Sequence, residues 1–332
     1  MDTGAKILMD RWERRHDYLR ISLTDHCNFR CTYCMPDEKV NCMPATQLMQ
    51  VHEIQRIAQT FVEWGVRKIR LTGGEPLVRK DFPQIVRALA SLPVELAITT
   101  NGLLVKQYWD VFQEADLRTI NVSLDSLRPE TFFQITGRDH FRQVWDTILF
   151  LLDQDIRVKI NVVAMRSTIQ AELIDFITLT KDLPLHVRFI EFMPFTGNGW
   201  DSHQVITATE MLNHTQAYFD IIKLQDEPHA TAKKYKVIGY EGTFAFITTM
   251  SNHFCHSCNR LRLTADGKLK NCLFGKDEMD LLGALRTNQD ILPLIQQSLM
   301  LKHPATGGQL LQDFQQINSQ QVKNRSMVCI GG

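Results

Sequence analysis

Hydrophobic and polar positions follow a regular succession along the first two-thirds of the chain. An alternating run over 18–24 predicts a strand. Leu48, Ile54, Ile57, Ala58 and Phe61 recur at helical spacing, which predicts a helix over 46–64 with Thr46 as N-cap and Gly65 as stop. Further strands are predicted over 66–71, 94–99, 118–124, 157–165 and 186–192. Further helices are predicted over 82–92, 103–115, 131–136, 141–153 and 171–181. Six strand-then-helix units imply the α/β class, with a parallel sheet and right-handed crossovers. Periodicity alone admits a barrel-like sheet or an open doubly wound one. Polar and glycine residues gather at the strand C-terminal ends: Cys27, Gly73, Thr99, Ser123 and Met193. That rim is where barrel-like folds bind ligands. After Thr196 the pattern changes. A short helix over 207–216 and an antiparallel pair over 235–240 and 243–249, turned at Glu241-Gly242, begin an appended α+β region. The expected division is a core over 1–195 and a C-terminal region over 196–332.

Composition narrows the class. The 332 residues are 44% hydrophobic and 22% charged, which are globular values. Lys plus Arg and Asp plus Glu both number 37, so no net field draws the chain to nucleic acid or a membrane surface. No run of eighteen apolar residues spans a bilayer, and the charged start over 1–15 does not read as a secretory signal. Eight cysteines, six of them in two tight triplets, do not form a secreted disulfide framework. A reducing cytoplasm is the expected setting.

The cysteines carry the candidate chemistry. Cys27, Cys31 and Cys34 stand at C-x3-C-x2-C spacing just after the first strand. Thiolates this close converge on one metal centre, either zinc or an iron–sulfur cluster. Structural zinc closes with four ligands, so the zinc reading needs His26. The cluster reading leaves one iron free for a small molecule. Cys255, Cys258 and Cys272 form a second triplet, C-x2-C-x13-C. On spacing alone it suits zinc, completed by His253 or His256, as well as it suits a cluster. Thr72-Gly73-Gly74-Glu75-Pro76-Leu77 follows the second strand, where paired glycines let the backbone approach a ligand.

C-x3-C-x2-C with Tyr33 before the last cysteine, followed by the GGEP stretch, resembles the radical S-adenosylmethionine enzymes. CNFRCTYCMP, IRLTGGEPL, TTNGLL, INVSLDSL, RFIEFMP, NGW, FCHSCNRLRLTADGKLKNCLF and the terminal Ile330-Gly331-Gly332 resemble more narrowly the molybdenum cofactor biosynthesis protein A family of GTP 3′,8-cyclases. His26 departs from the arginine familiar there. The resemblance implies a six-unit partial (β/α)6 TIM-like barrel, with the second triplet in the C-terminal region. It implies two [4Fe-4S] clusters, on Cys27, Cys31 and Cys34 and on Cys255, Cys258 and Cys272. S-adenosyl-L-methionine would chelate the open iron of the first cluster, lined by Tyr33, Gly74, Ser123 and Met193. GTP would meet Arg20, Arg70, Thr99, Lys159, Arg260 and Arg262, with Lys68 and Arg188 as weaker candidates. The open iron of the second cluster would face guanine. The expected partners are an external one-electron reductant and, by the resemblance, a downstream cyclic pyranopterin monophosphate synthase; the reading admits a homodimer, and the charge balance and lack of an apolar span speak against nucleic acid and membrane. The double-glycine tail would enter the site. Cys42 and Cys329 fit neither triplet and read as bystanders. Two readings stand beside this one: a radical enzyme that modifies peptides, and a zinc-stabilised binding module.

Overall fold

The computed structural model describes residues 6–35, 42–310 and 313–331. Six parallel strands follow one another in chain order: β1 Tyr18–Ser22, β2 Lys68–Thr72, β3 Glu95–Thr100, β4 Thr119–Ser123, β5 Arg157–Ala164 and β6 His186–Glu191. Later in the chain come β7 Ile221–Lys223, β8 Ala232–Val237, β9 Thr243–Ile247, β10 Arg260–Leu263, β11 Lys268–Lys270 and β12 Met279–Asp280. All twelve form one sheet in the order β12-β11-β10-β1-β2-β3-β4-β5-β6-β9-β8-β7. Sequential parallel order is the connectivity of a partial barrel, and no pairing among the described strands closes it.

The alternation read from the sequence decides which face is which. Leu19, Ile21, Ile69, Leu71, Ile98, Ile120, Val122, Ile160, Val187 and Phe189 point to one face and are fully buried against the helices. Each such side chain contributes about 1.5–3 kcal/mol relative to exposure. The residues between them face the opposite side, where cross-strand register sets them abreast. Arg262, Arg20 and Arg70 are direct neighbours on β10, β1 and β2. Asn121 pairs with Thr99 and Lys159, and Asn161 pairs with Ser123 and Arg188.

Five features differ from, or add to, the sequence reading. Thr46 caps no helix. A single 3-10 turn spans Ala45–Gln47, and the α-helix begins at Val51 (Val51–Glu63). It starts there because Gln50 and Glu53 make a capping box, which satisfies donors at the N-terminus more directly than Thr46 could. The run over 103–115 breaks into a 3-10 turn, Val105–Tyr108, and a short helix, Trp109–Glu114, while 171–181 holds a helix only over Leu173–Thr178. The C-terminal region is less an appendage than expected, since β9 extends the parallel sheet beside β6 and β10 extends it beside β1. The tail is also ordered into a helical turn, Met327–Ile330, with Ile330 buried; Gly332 lies outside the described residues.

A second apolar cluster, including Tyr33, Phe192, Phe195, Trp200, Phe274 and Ile330, lies over the sheet face opposite the helices. Phe195 and Phe274 stack with centroids 5.8 Å apart, and Trp200 Nε1 donates to the Phe192 carbonyl at 2.9 Å. This cluster fastens the C-terminal residues across the mouth of the sheet.

Candidate functional site

The first triplet sits on the loop leaving β1, and backbone bonds fix that loop from two sides. Arg30 and Thr32 donate to the carbonyls of Thr136 and Ile135, at the end of the helix Pro129–Thr136. Gly74 N donates to Thr24 O at 2.7 Å, and Glu75 N donates to His26 O at 2.8 Å. A Cβ on Gly74 would run into the His26 carbonyl, so only glycine lets the GGEP turn lie against the cysteine loop. Burial pushes the Cys27 thiol up to about 11, with the Glu75 carboxylate acting in the same direction. Cys34 is pushed up to about 12 and Cys31 well above its usual value, by burial first and then by neighbouring sulfurs and Asp125. Such thiols ionise only against a strong positive centre, as metal ligands do.

Two acids here were quoted within motifs but given no role from the sequence. Glu75 accepts from Leu77 N, Thr100 Oγ1 and Asn101 N at 3.0, 2.8 and 2.7 Å, and burial raises it to about 7. Asp125 accepts from Tyr33 Oη at 2.7 Å and Val163 N at 2.8 Å, and burial raises it to about 6. Both follow a strand C-terminus, which was the available signal. Cys329 is closer to the chemistry than a bystander in the tail, since it acts electrostatically on Cys34.

The second triplet lies on the 3-10 turn Cys255–Ser257, on Cys258 before β10, and on Cys272 after β11. Its surroundings are basic. Lys302 Nζ donates to Cys258 Sγ at 3.7 Å, Arg14 Nη1 donates to the Cys255 carbonyl at 2.8 Å, and Thr306 N donates to Cys255 Sγ at 3.4 Å. Burial works to raise the Cys258 thiol, but Lys302 and Arg260 outweigh it and hold the thiol below its usual value.

Three cavities connect the triplets. One is lined by Cys27, Cys31, Cys34, Gly74, Thr99 and Ser123, another by Cys255, Cys258, Cys272, Arg260 and Arg262. A central cavity shares Tyr33, Thr99, Asn161 and Met327 with the first and Phe254, Arg260 and Arg262 with the second. Arg20, Arg188, Asn121 and Met193 complete much of its wall. Arg20 Nε, Arg188 Nε and Asn121 Oδ1 are buried without a hydrogen-bond partner, an arrangement that awaits a polar ligand. Burial and neighbouring guanidinium groups press Arg188 and Arg262 down to about 9, against the opposing pull of Tyr18 on both and of Cys272 on Arg262. Arg262 Nη1 also donates to the Gly331 carbonyl at 2.5 Å, which ties the tail to this wall.

The structure does not bring every predicted residue to the cavity. Lys68 stands at the start of β2, paired with Glu95 at 2.5 Å and part exposed. Arg70 is absent from the lining too; it donates to Tyr18 Oη at 2.5 Å and to Ile98 O at 3.0 Å. Burial pushes Tyr18 up, but Arg70 and Arg20 outweigh it and bring the phenol down to about 7. Lys159 lies beside Asn121, also outside the lining, lowered to about 8 by burial and by Arg188.

The donor set discriminates between a single ion and a cluster. Sulfurs around one tetrahedral zinc are about 3.8 Å apart, from Zn–S bonds of about 2.3 Å. Among the described residues, neither triplet has its three sulfurs within 4.8 Å of one another. The set that does meet that distance is Asp25, His26 and Cys42, which groups His26 with Asp25 and Cys42. Wide spacing and three thiolates fit a multi-iron cluster at both triplets.

A family model described as Radical SAM superfamily matches residues 21–179, and one described as Molybdenum Cofactor Synthesis C matches 185–307. Fold, cysteine loop and match together define a protein of the radical S-adenosylmethionine class. The molybdenum cofactor biosynthesis protein moc-5 of Caenorhabditis elegans is 47% identical over 287 residues, 85% of this chain and 48% of that protein. A protein of Arabidopsis thaliana named GTP 3′,8-cyclase, mitochondrial, is 43% identical over 335 residues, 99% of this chain and 84% of that one. The chain belongs to this family of molybdenum cofactor biosynthesis proteins. It spans about half the length of the animal relatives it matches. Among solved structures, Streptococcus suis SuiB has a TM-score of 0.59 at 17% identity, over 90% of this chain and 69% of that one, which is a likeness of fold.

Proposed function

We propose that this chain is a GTP 3′,8-cyclase, with S-adenosyl-L-methionine on the first triplet's side of the central cavity and GTP between the two triplets. The observation that carries this reading is the arginine-walled cavity running between two three-cysteine sites, with the Nε donors of Arg20 and Arg188 left without a hydrogen-bond partner. Guanidinium groups suit a triphosphate because they pair with phosphate oxygens in a fixed fork.

A reduced four-iron cluster on Cys27, Cys31 and Cys34 would supply the electron that splits the sulfonium of S-adenosyl-L-methionine into methionine and a 5′-deoxyadenosyl radical. The chain's own residues position and exclude. The GGEP turn leaves room for the amino group of methionine beside Gly74. Tyr33, held by Asp125, and Ser123 line the same side, with Met193 on the central wall. Arg20, Arg188, Arg260 and Arg262 hold the triphosphate so that the ribose faces the first triplet and the base faces Cys255, Cys258 and Cys272. Held in this way, the ribose 3′ hydrogen is the one within reach, and C3′ is set against guanine C8. One further electron and one proton complete the cyclic product. Lys68 and Arg70 have only indirect roles in this reading, through Glu95 and Tyr18.

The division near 195/196 is one of role, with the radical on one side and base recognition on the other, within one continuous sheet. An external reductant, a homodimer and a downstream cyclic pyranopterin monophosphate synthase belong to the same proposal. Among the described residues no helix is long and apolar enough to cross a membrane. A cytoplasmic setting is proposed from the reduced cysteines, although the plant relative is named mitochondrial. Anaerobic incubation with GTP, S-adenosyl-L-methionine and dithionite, followed by mass analysis, should yield an isomer of GTP and one 5′-deoxyadenosine per turnover. Cleavage of S-adenosyl-L-methionine with GTP left intact would refute GTP as substrate.

A further inference from the structure

We infer that Lys302 is the positioning and charge-balancing residue of the second cysteine site, and that its ammonium raises the reduction potential of a cluster held there. The inference rests on the reading of Cys255, Cys258 and Cys272 as cluster ligands. Lys302 lies 44 positions beyond Cys258, outside any motif of the sequence. Its side chain is nearly fully buried.

The ammonium has three protons and three acceptors: His16 Nε2 at 2.8 Å, the Arg260 carbonyl at 3.1 Å and Cys258 Sγ at 3.7 Å. None of them is a carboxylate. Asp10, the nearby acid, is already taken by Arg14 at 2.6 Å. His16 is held neutral by burial and by Lys302 and Arg14, so its Nε2 accepts a hydrogen bond from the Lys302 ammonium without adding charge. A buried ammonium whose acceptors are neutral has no counter-ion in direct contact. Of its three acceptors, the one that can carry negative charge is the Cys258 sulfur. A thiolate-bound cluster supplies that charge, and it supplies more when reduced.

Charge and N–H···S bonds at cluster sulfurs favour the reduced state. Lys302 therefore stabilises the reduced form more than the oxidised form. The same ammonium bonds the carbonyl of Arg260, the residue that shares the wall of the central cavity. Lys302 thus fixes the start of β10 relative to the second triplet.

The test uses the full chain, reconstituted anaerobically, with both midpoints followed by electron paramagnetic resonance during a redox titration. Lys302→Met should make the second cluster harder to reduce by about tenfold, equivalent to about 59 mV for one electron. The first cluster's midpoint should stay as in the unmodified protein. An unchanged second midpoint overturns the inference, and so does an equal shift in both clusters, which would mean a general packing change. If Lys302→Met does not load the second site, the titration is read on Lys302→Gln, which keeps an N–H donor and drops the charge. A lowered second midpoint there supports the inference, and an unchanged one overturns it. Absence of a second cluster signal in the unmodified protein would instead refute the cluster reading on which the inference stands.

Discussion

The two cysteine triplets differ in the charge of their walls. Around Cys27, Cys31 and Cys34 the charged neighbours are the buried acids Glu75 and Asp125, with the half-buried Arg30 at the Cys27 carbonyl, among neutral polar and apolar side chains. Around Cys255, Cys258 and Cys272 they are Lys302, Arg14, Arg260 and Arg262. Negative surroundings disfavour added electrons and positive surroundings favour them. A strongly reducing centre is therefore expected at the first triplet and a milder one at the second. Strong reducing power suits cleavage of a sulfonium, while a positive wall suits an anionic substrate. In the proposed function, the difference suits each triplet to its own task despite the same ligand count.

The largest effects should separate those tasks. Cys27→Ala is expected to abolish 5′-deoxyadenosine formation, measured by chromatography after anaerobic incubation. Cys272→Ala should keep the first cluster and still form 5′-deoxyadenosine, while the GTP isomer disappears. Identical loss of both products in the two variants would erase the distinction between the sites.

Next is the bridge between them. Arg262→Ala removes a buried guanidinium and should weaken GTP binding by about 1.5–3 kcal/mol, the range for a charged hydrogen bond. Calorimetry reads this directly, and an unaltered affinity would exclude Arg262 from the phosphate wall.

A pH series sharpens the electrostatic side. Lys159 is lowered to about 8 by burial and by Arg188, Arg70, Lys68 and Lys234. In the ligand-free protein it is charged below pH 8 and sheds its proton as pH rises through 8. A polyanion favours the protonated form, so binding above pH 8 takes up a proton. Affinity for GTP should then fall toward tenfold per pH unit above 8. Lys159→Met should bind more weakly at pH 7 and lose the part of the slope between pH 8 and 9, below the range in which Arg188 and Arg262 titrate; an unchanged slope there would assign the titration elsewhere.

The smallest effect concerns the tail that closes the mouth. Gly331 has φ +80°, and a Cβ there would lie 2.5 Å from Thr72 Oγ1 and 3.0 Å from Ser22 Cβ. Gly331→Ala should cost about 1–2 kcal/mol, from the left-handed backbone alone. Thermal unfolding tests it, and an unchanged Tm would mean that the tail can leave the rim without loss.

Much of the fold was legible because its signals are local. The six strands were placed to within about two residues, since alternation has period two and the strand faces differ sharply in polarity. Both triplets and the GGEP turn were legible for a similar reason, with most of the chemistry held in short stretches. Helix starts were less legible. Thr46 is a good capping residue by type, yet Gln50 and Glu53 satisfied the helix donors, and side-chain geometry decided between them. Lys68 and Arg70 were expected at the ligand and are engaged by Glu95 and by Tyr18 and Ile98. Two cations on one strand face cannot both reach the same end of a cavity, and sequence does not say which end is open.

By itself the sequence determined the strand succession, the polar face and the two sets of three thiols, because periodicity and spacing act over a few residues. Tertiary structure decided that Arg262 stands beside Arg20, that β9 and β10 extend the sheet at opposite sides, and that Lys302 reaches Cys258. Those contacts join positions 44 to more than 200 residues apart. They depend on strand register and loop closure, and neither leaves a pattern in any local stretch of the chain.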